Sequence, residues 1–348
     1  MVKIIYWRLL CVCAEVDVAG NRVLWLLSDG ASGHWSQSQG IADALAAAEP
    51  VEIQRIDLTV RSTFWKRLGR LSLPWIRNSR WWLAKVYNIR LPASAPSLVI
   101  SSGGNTLLAN ALLARLFNAP NVYSGTPKGY DASAYRVIFT VVSQKLSNNC
   151  ILPLPPVPQA ISSVPDIASD ATPCVAVLIG GDGAGYRYTA ADWRNLAQWL
   201  VALAASREAR ILLTTSRRTG AAAEAMLQAE LPVDLLADAV WWSQDPRPVV
   251  RSFLQRATSV VVTEDSLTMI AESIYSRREV LTWAPEQIAP NTNDAQALAN
   301  YAADGLIFRG HMGADMNLLA RDANMVHCPD VPAMIRAALH PHLNLGEL

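Results

Sequence analysis

The run Ser28-Asp29-Gly30-Ala31-Ser32-Gly33-His34-Trp35-Ser36-Gln37 sets an imidazole between an apolar strand and the start of a helix. At the lip of a cleft His34 could act as a general base, and Asp29 of the same loop joins it as a candidate catalytic residue. Gly30 and Gly33 let a backbone approach a ligand, and free amides at a helix start favour an anion or a developing oxyanion. A tight βα turn with His34 in a packing role would use the same residues. Ser102-Gly103-Gly104-Asn105 follows another strand and is a second, weaker turn of this kind.

A second group lies in the other half of the chain. Gly180-Gly181-Asp182-Gly183 follows a buried strand but matches neither the G-x-G-x-x-G fingerprint nor the P-loop, so it predicts a looser phosphate cradle. Ser216, Arg217 and Arg218 end the next strand with a hydroxyl and two guanidiniums suited to a pyrophosphate. Solvated surface arginines are the plainer alternative. Glu264, Asp265 and Ser266 open a helix that also carries Met269 and Glu272, where carboxylates could accept hydrogen bonds from ribose hydroxyls. Ordinary helix capping would use the same acids. No two aspartates are separated by a single residue, and no H-E-x-x-H, G-x-S-x-G or zinc-spaced cluster occurs. No metal and no cofactor is therefore expected.

Elements able to position these loops alternate along the chain, as in an α/β protein with parallel sheets. Strands are predicted at 23–27, 51–56, 97–101, 121–124 and 136–142, and a second series at 174–181, 210–216, 239–242, 258–265 and 279–285. The first helix is predicted from about Gln37, with Ser36 and Gln39 as a capping box. Six prolines between Leu152 and Pro173 mark a stiff connection. The expected organisation is a ragged extension (1–22), a first Rossmann-like domain (23–152), a linker (153–173), a second Rossmann-like domain (174–330) and a C-terminal helix packing back (331–348). Two such doubly wound sheets face each other across a cleft, which is the default site.

At 348 residues, with 51% hydrophobic and 17% charged side chains, the chain is folded, and its length fits two domains. The formal net charge of +1 conceals an asymmetry. Residues 58–130 hold ten basic side chains and no acidic one, leaving twenty basic against twenty-nine acidic elsewhere. Trp65, Lys66, Arg67, Arg70, Trp75, Arg77, Arg80, Trp81 and Trp82 mix cations with indoles, the composition of an interfacial docking element facing an anionic membrane. Interdomain packing is the plainer alternative, and nucleic acid is the disfavoured one. The surface is expected to face away from the nucleotide site. Five cysteines with no C-x-x-C pair point to a reducing cytoplasm, and the longest charge-free stretch, 91–114, holds prolines and glycines, so no transmembrane helix is predicted.

These motifs resemble the Elm family, named from a plant mitochondrial-fission factor and with many bacterial members. The shared features are D-G-x-x-G-H-x-x-Q (Asp29, Gly30, Gly33, His34, Gln37), G-G (Gly180, Gly181), T-S-R-R (Thr215, Ser216, Arg217, Arg218) and T-E-D-S (Thr263, Glu264, Asp265, Ser266). The resemblance implies a GT-B glycosyltransferase-like fold. A fainter likeness to the membrane-associated N-acetylglucosaminyltransferase of peptidoglycan synthesis matches Gly30, Gly33 and His34 to its acceptor-side loop, and Gln37, Ser102, Gly103 and Gly104 are expected to complete the acceptor loop with Gly30 and Gly33. It assigns Gly180, Gly181, Gly183 and Glu272 to a nucleotide-sugar donor, and Asn293, Asp294, Gln296 and Asn300 to its sugar. The implied function is a metal-independent transferase acting on an envelope or lipid-linked acceptor, cytoplasmic and peripheral on the inner face of the membrane. The second implied reading is a non-catalytic membrane-associated adaptor on the same fold.

Overall fold

The structure, a computed structural model, describes residues 21–159, 172–311 and 327–343. Residues 1–20 of the expected extension, 160–171 of the linker, 312–326 of the second domain and 344–348 lie outside the described residues, as does the side chain of His311.

The first domain runs β1 (Arg22–Ser28), α1 (Ser32–Ala46), β2 (Val51–Val60), α2 (Thr63–Ser72), α3 (Ser79–Val86), β3 (Tyr87–Ile89), β4 (Leu98–Ser102), α4 (Leu107–Phe117), β5 (Asn121–Ser124), β6 (Val137–Thr140) and β7 (Asn149–Ile151). They form a seven-stranded sheet of order β3-β2-β1-β4-β5-β6-β7, parallel except for β3, which pairs antiparallel to β2 through Leu58 and Ile89. Strands β4, β5 and β6 are buried along their whole length, which is why they read as unbroken apolar runs.

The second domain runs β8 (Cys174–Leu178), β9 (Tyr186–Arg187), α5 (Ala190–Ser206), β10 (Arg210–Thr214), α6 (Ala221–Glu230), β11 (Leu236–Val240), α7 (Val250–Arg256), β12 (Ser259–Thr263), α8 (Leu267–Tyr275), β13 (Glu279–Ala284), β14 (Gln287–Ile288), α9 (Thr292–Ala303) and β15 (Phe308–His311). Its six-stranded parallel sheet has the order β11-β10-β8-β12-β13-β15, and β9 pairs with β14 in a small antiparallel ribbon. Strand order reverses between β1 and β4 in the first sheet and between β8 and β12 in the second. These are the points where crevices open at the carboxyl ends of strands.

The final helix α10 (Val331–Leu343) packs on α1, burying Val331, Ile335, Leu339 and Leu343 along one stripe, and Arg336 donates to the Ala44 carbonyl at 3.5 Å. The chain leaving β7 is docked as well. Leu152 and Leu154 are buried, and Gly40 of α1 meets the Val157 backbone so closely that a Cβ there would lie 2.5 Å from its nitrogen.

One expected boundary shifts. Helix α1 starts at Ser32, five residues before Gln37, and Ser36 and Gln39 form no capping box. Gly30, at φ +83°, turns the chain early, while Asp29 accepts from the Ala31 amide at 3.3 Å. Ser36 is thereby inside the helix and its hydroxyl is free to point across the cleft.

Candidate functional site

His34 stands on the first turn of α1, with Nδ1 2.9 Å from Oδ1 of Asp29. The Asp29 side chain is almost fully enclosed, whereas the imidazole keeps 40% of its surface exposed. Burial presses the Asp29 carboxyl upward, but the hydrogen bond and charge of His34, the Ala31 amide and Asn105 outweigh it and hold it below the usual carboxylate range. A carboxylate there accepts the Nδ1–H and leaves the Nε2 lone pair toward the cleft. Gly103, at φ +90°, is the floor beneath the ring: a Cβ on it would lie 2.2 Å from Nδ1 of His34. The two expected loops are therefore one device, closed from the ends of β1 and β4.

Gln37, one turn on, accepts from Ser102 Oγ at 3.1 Å and from Ser124 Oγ at 2.8 Å, and its amide reaches Thr268 of α8 at 3.5 Å. Ser36 donates to Oε1 of Glu272 at 2.9 Å, and Asn293 donates to Thr126 at 3.3 Å. These three bonds join the domains across the cleft. Gly33 permits the approach, since a Cβ would meet Thr268 Oγ1 at 3.1 Å. Enclosure pushes the Glu272 carboxyl up to about 7, against the lowering effect of Ser36.

On the second domain, the Gly180 amide donates to Thr263 Oγ1 at 2.7 Å and its carbonyl accepts from Ser216 Oγ at 2.9 Å. Arg218 pairs with Asp265 at 2.5 Å, and Tyr188 donates to the other Asp265 oxygen at 3.1 Å. Burial holds the Asp265 carboxyl above its usual range even so. The glycines fit around this pair. A Cβ on Gly180 would lie 2.0 Å from Asp265, and one on Gly183 would lie 2.7 Å from Arg218. Asp182 is exposed and accepts from the Tyr188 amide, Ser266 caps α8 by accepting from Met269, and Arg217 is exposed with no hydrogen bond or ion pair among the described residues.

Glu264 corrects the sequence expectation. Its side chain is fully enclosed, accepts two hydrogen bonds from Arg309 at 2.7 Å each and a third from Thr282 at 2.8 Å, and so has no oxygen facing a ligand. Arg309 comes from β15, 45 residues away, and nothing in the T-E-D-S element announces it.

A cavity of about 430 Å³ lies between the domains, lined by His34, Gln37, Ser102, Gly103, Ser124 and Thr126 on one side and Leu267, Asn291, Asn293 and Asp294 on the other. It unites Gln37, Ser102 and Gly103 of the expected acceptor side with the start of α9, whereas Gly30, Gly33 and Gly104 do not line it. The 180–183 loop, Arg217, Met269 and Glu272 do not line it.

The basic segment divides. Trp65 and Trp82 pack inward and meet Trp81 in edge-to-face contacts of 5.4 to 5.8 Å, while Trp81 itself, Trp75, Arg77 and Arg80 are exposed. Lys66, Arg67 and Arg70 line a second cavity together with Asp29, His34 and Lys128, all of the first domain. Lys66, Arg67 and Arg70 follow from the turn of α2, whose exposed apolar stripe lies beside them. Asn105 is visible in the sequence only as the last residue of the 102–105 turn, and Lys128 belongs to no motif.

Two doubly wound α/β domains, a cleft between the carboxyl edges of their sheets and a last helix returning to the first domain define a GT-B glycosyltransferase-like fold. The family model described as Mitochondrial fission ELM1 matches residues 32–300, and the chain belongs to that family. No curated protein matches the sequence. Solved structures similar to it include Acinetobacter baumannii MurG, 13% identical over 86% of this chain and 89% of that one, with a TM-score of 0.47. Two others are Escherichia coli ADP-heptose lipopolysaccharide heptosyltransferase II (12% identical, 93% and 98% covered, TM-score 0.45) and the glycosyltransferase SnogD from Streptomyces nogalater (13%, 91% and 93%, 0.47). Among the described residues no helix is long and apolar enough to cross a membrane.

Proposed function

We propose that the protein is a metal-independent glycosyltransferase that binds a nucleotide-diphosphate sugar on its second domain and transfers the sugar to an envelope or lipid-linked acceptor at the inner membrane surface. The observation that carries this reading is the Asp29–His34 pair at the mouth of the interdomain cavity. His34 Nε2 takes the proton of an acceptor hydroxyl. The oxygen bonds to the anomeric carbon as the bond from that carbon to the phosphate oxygen breaks, and the nucleoside diphosphate leaves. Arg217 and the free amides at the start of α8 receive the departing charge, which is the work a metal would otherwise do. Glu272 exchanges its Ser36 hydrogen bond for ribose hydroxyls.

Membrane attachment is supported by Phe64, Leu71 and Trp75, each about two thirds or more exposed, flanked by Arg67, Arg70, Arg77 and Arg80. The test is release of nucleoside diphosphate from a panel of nucleotide-sugars in the presence of lipid extract. His34→Ala is expected to slow release by about a hundredfold or more while leaving nucleotide binding in place. Equal rates in the two proteins would remove His34 from the chemistry.

The adaptor reading has one observation in its favour: Arg218 is already neutralised by Asp265, so one of the two expected diphosphate clamps is occupied internally. It requires vesicle recruitment with no nucleotide binding.

A further inference from the structure

Four cations converge on the outer side of His34, and Asp29 is the one carboxylate that lines the cavity with them. Lys66 and Arg70 on α2 and Lys128 from the turn after β5, with Arg67 beside them, line a cavity of about 410 Å³ that His34 and Asp29 close at its inner end. None of the four forms an ion pair among the described residues, and Asp29, the single acid present, is engaged by His34. Lys66 is half-buried, and its Nζ donates to Asn105 Oδ1 at 2.6 Å, while Asn105 in turn donates to Asp29 at 3.3 Å. Desolvation lowers its ammonium below the usual lysine range, with Lys128 and Arg67 adding to the lowering and Asp29 opposing it.

Lys128 sits at φ +49° in a tight turn followed by Gly129 at +76°, closed by the Tyr130 amide on the Pro127 carbonyl at 3.0 Å. Non-glycine residues adopt that backbone at a cost, and here it carries the ammonium to the cavity wall. His34 and Lys128 line both this cavity and the interdomain one, so a group bound here lies next to a hydroxyl presented to His34.

From this convergence we propose that the pocket formed by Lys66, Arg67, Arg70 and Lys128 binds the phosphate or pyrophosphate group of the acceptor. The inference rests on the transferase reading and names the chemistry of its acceptor: a phosphate-bearing molecule, anchored beside the base. Helix α2 adds the direction of the rest of that molecule. Its turns set Phe64, Leu68 and Leu71 in an exposed apolar stripe alongside the cations, so a phosphate in the pocket can carry an alkyl chain out along the helix.

The test is calorimetric binding of inorganic pyrophosphate, inorganic phosphate, dodecyl phosphate and dodecanol to the full chain, with UDP, GDP and ADP titrated in parallel. The variants are Lys66→Gln/Arg70→Gln and Phe64→Ser/Leu71→Ser. The double cation variant is expected to weaken pyrophosphate and dodecyl phosphate about tenfold or more while leaving nucleoside diphosphate binding unchanged. Dodecyl phosphate is expected to bind tighter than phosphate, an advantage that Phe64→Ser/Leu71→Ser removes, with dodecanol weak throughout. If dodecyl phosphate and phosphate bind equally, the source is a soluble phosphate and the lipid component is overturned. Phosphate binding unaffected by the cation variant, with nucleotide bound as before, overturns the pocket and leaves the transferase reading standing. A pocket that binds phosphate in a protein that binds no nucleotide upholds the site and overturns the transferase.

Discussion

Glu272→Gln isolates a carboxyl that joins the two domains through Ser36. Enclosure raises Glu272 from the ordinary 4.5 to about 7, with only Ser36 lowering it. A group whose folded value lies above its unfolded value binds its proton more tightly in the folded state. The fold therefore loses stability as pH rises from about 4.5 to about 7, and the loss is complete above that. The separation corresponds to a penalty of about 1 kcal/mol at pH 5, rising to about 3 kcal/mol at pH 8. The residue keeps some solvent contact at the cleft, which lowers the upper figure toward about 2 kcal/mol. Glutamine keeps the shape and removes the titration. In urea unfolding at pH 5, 6, 7 and 8, the stability of Glu272→Gln relative to the unsubstituted protein should climb by about 1 to 2 kcal/mol across the range, other titrating groups cancelling in the difference. A difference that stays flat with pH would mean that Glu272 is an ordinary solvated acid and that the cleft is open at α8.

Three further outcomes follow from particular contacts. Gly103→Ala places a Cβ into the His34 ring at a positive φ, costing about 1 to 2 kcal/mol in backbone strain. In nitrogen-edited NMR the hydrogen-bonded Nδ1 proton of His34 should disappear, and its persistence would refute the packing described. Arg309→Met leaves Glu264 charged and buried, which should cost about 3 to 5 kcal/mol, while Glu264→Gln/Arg309→Met recovers most of it. A loss below about 1 kcal/mol in the single variant would return Glu264 to the list of ligand-facing residues. Phe64→Ser/Trp75→Ser should lower binding to phosphatidylserine vesicles by about tenfold or more, as read by co-sedimentation, and an unchanged affinity would refute insertion of these two side chains.

The central strands were legible because both of their faces are covered, so β1, β4, β5, β8, β12 and β13 read as apolar runs. The short edge elements β3, β7, β9 and β14, of two or three residues each, escaped because their pairing is set by distant partners such as Leu58 with Ile89. The glycine loops at the strand ends were visible as turns, but Gly103 supporting the His34 ring could not be read from two segments seventy residues apart. The T-E-D-S acids misled for the same reason. Glu264 and Asp265 carry the residue types of a ribose contact, yet Arg309 and Arg218 reach both from other strands and loops. The basic segment was legible as charge alone. The turn of α2 divides it into an exposed apolar stripe and the cations beside His34, and no composition count contains that division.

The central claim is that the cleft holds a nucleoside diphosphate between α8 and the 180–183 loop. Calorimetric titration of the full chain and of Arg217→Ala with UDP-, GDP- and ADP-sugars, in buffer containing a chelator, tests it most directly. One of the three should bind saturably in the chelator, weakened about tenfold or more by Arg217→Ala. Absence of binding by all three, or binding indifferent to Arg217, would contradict it.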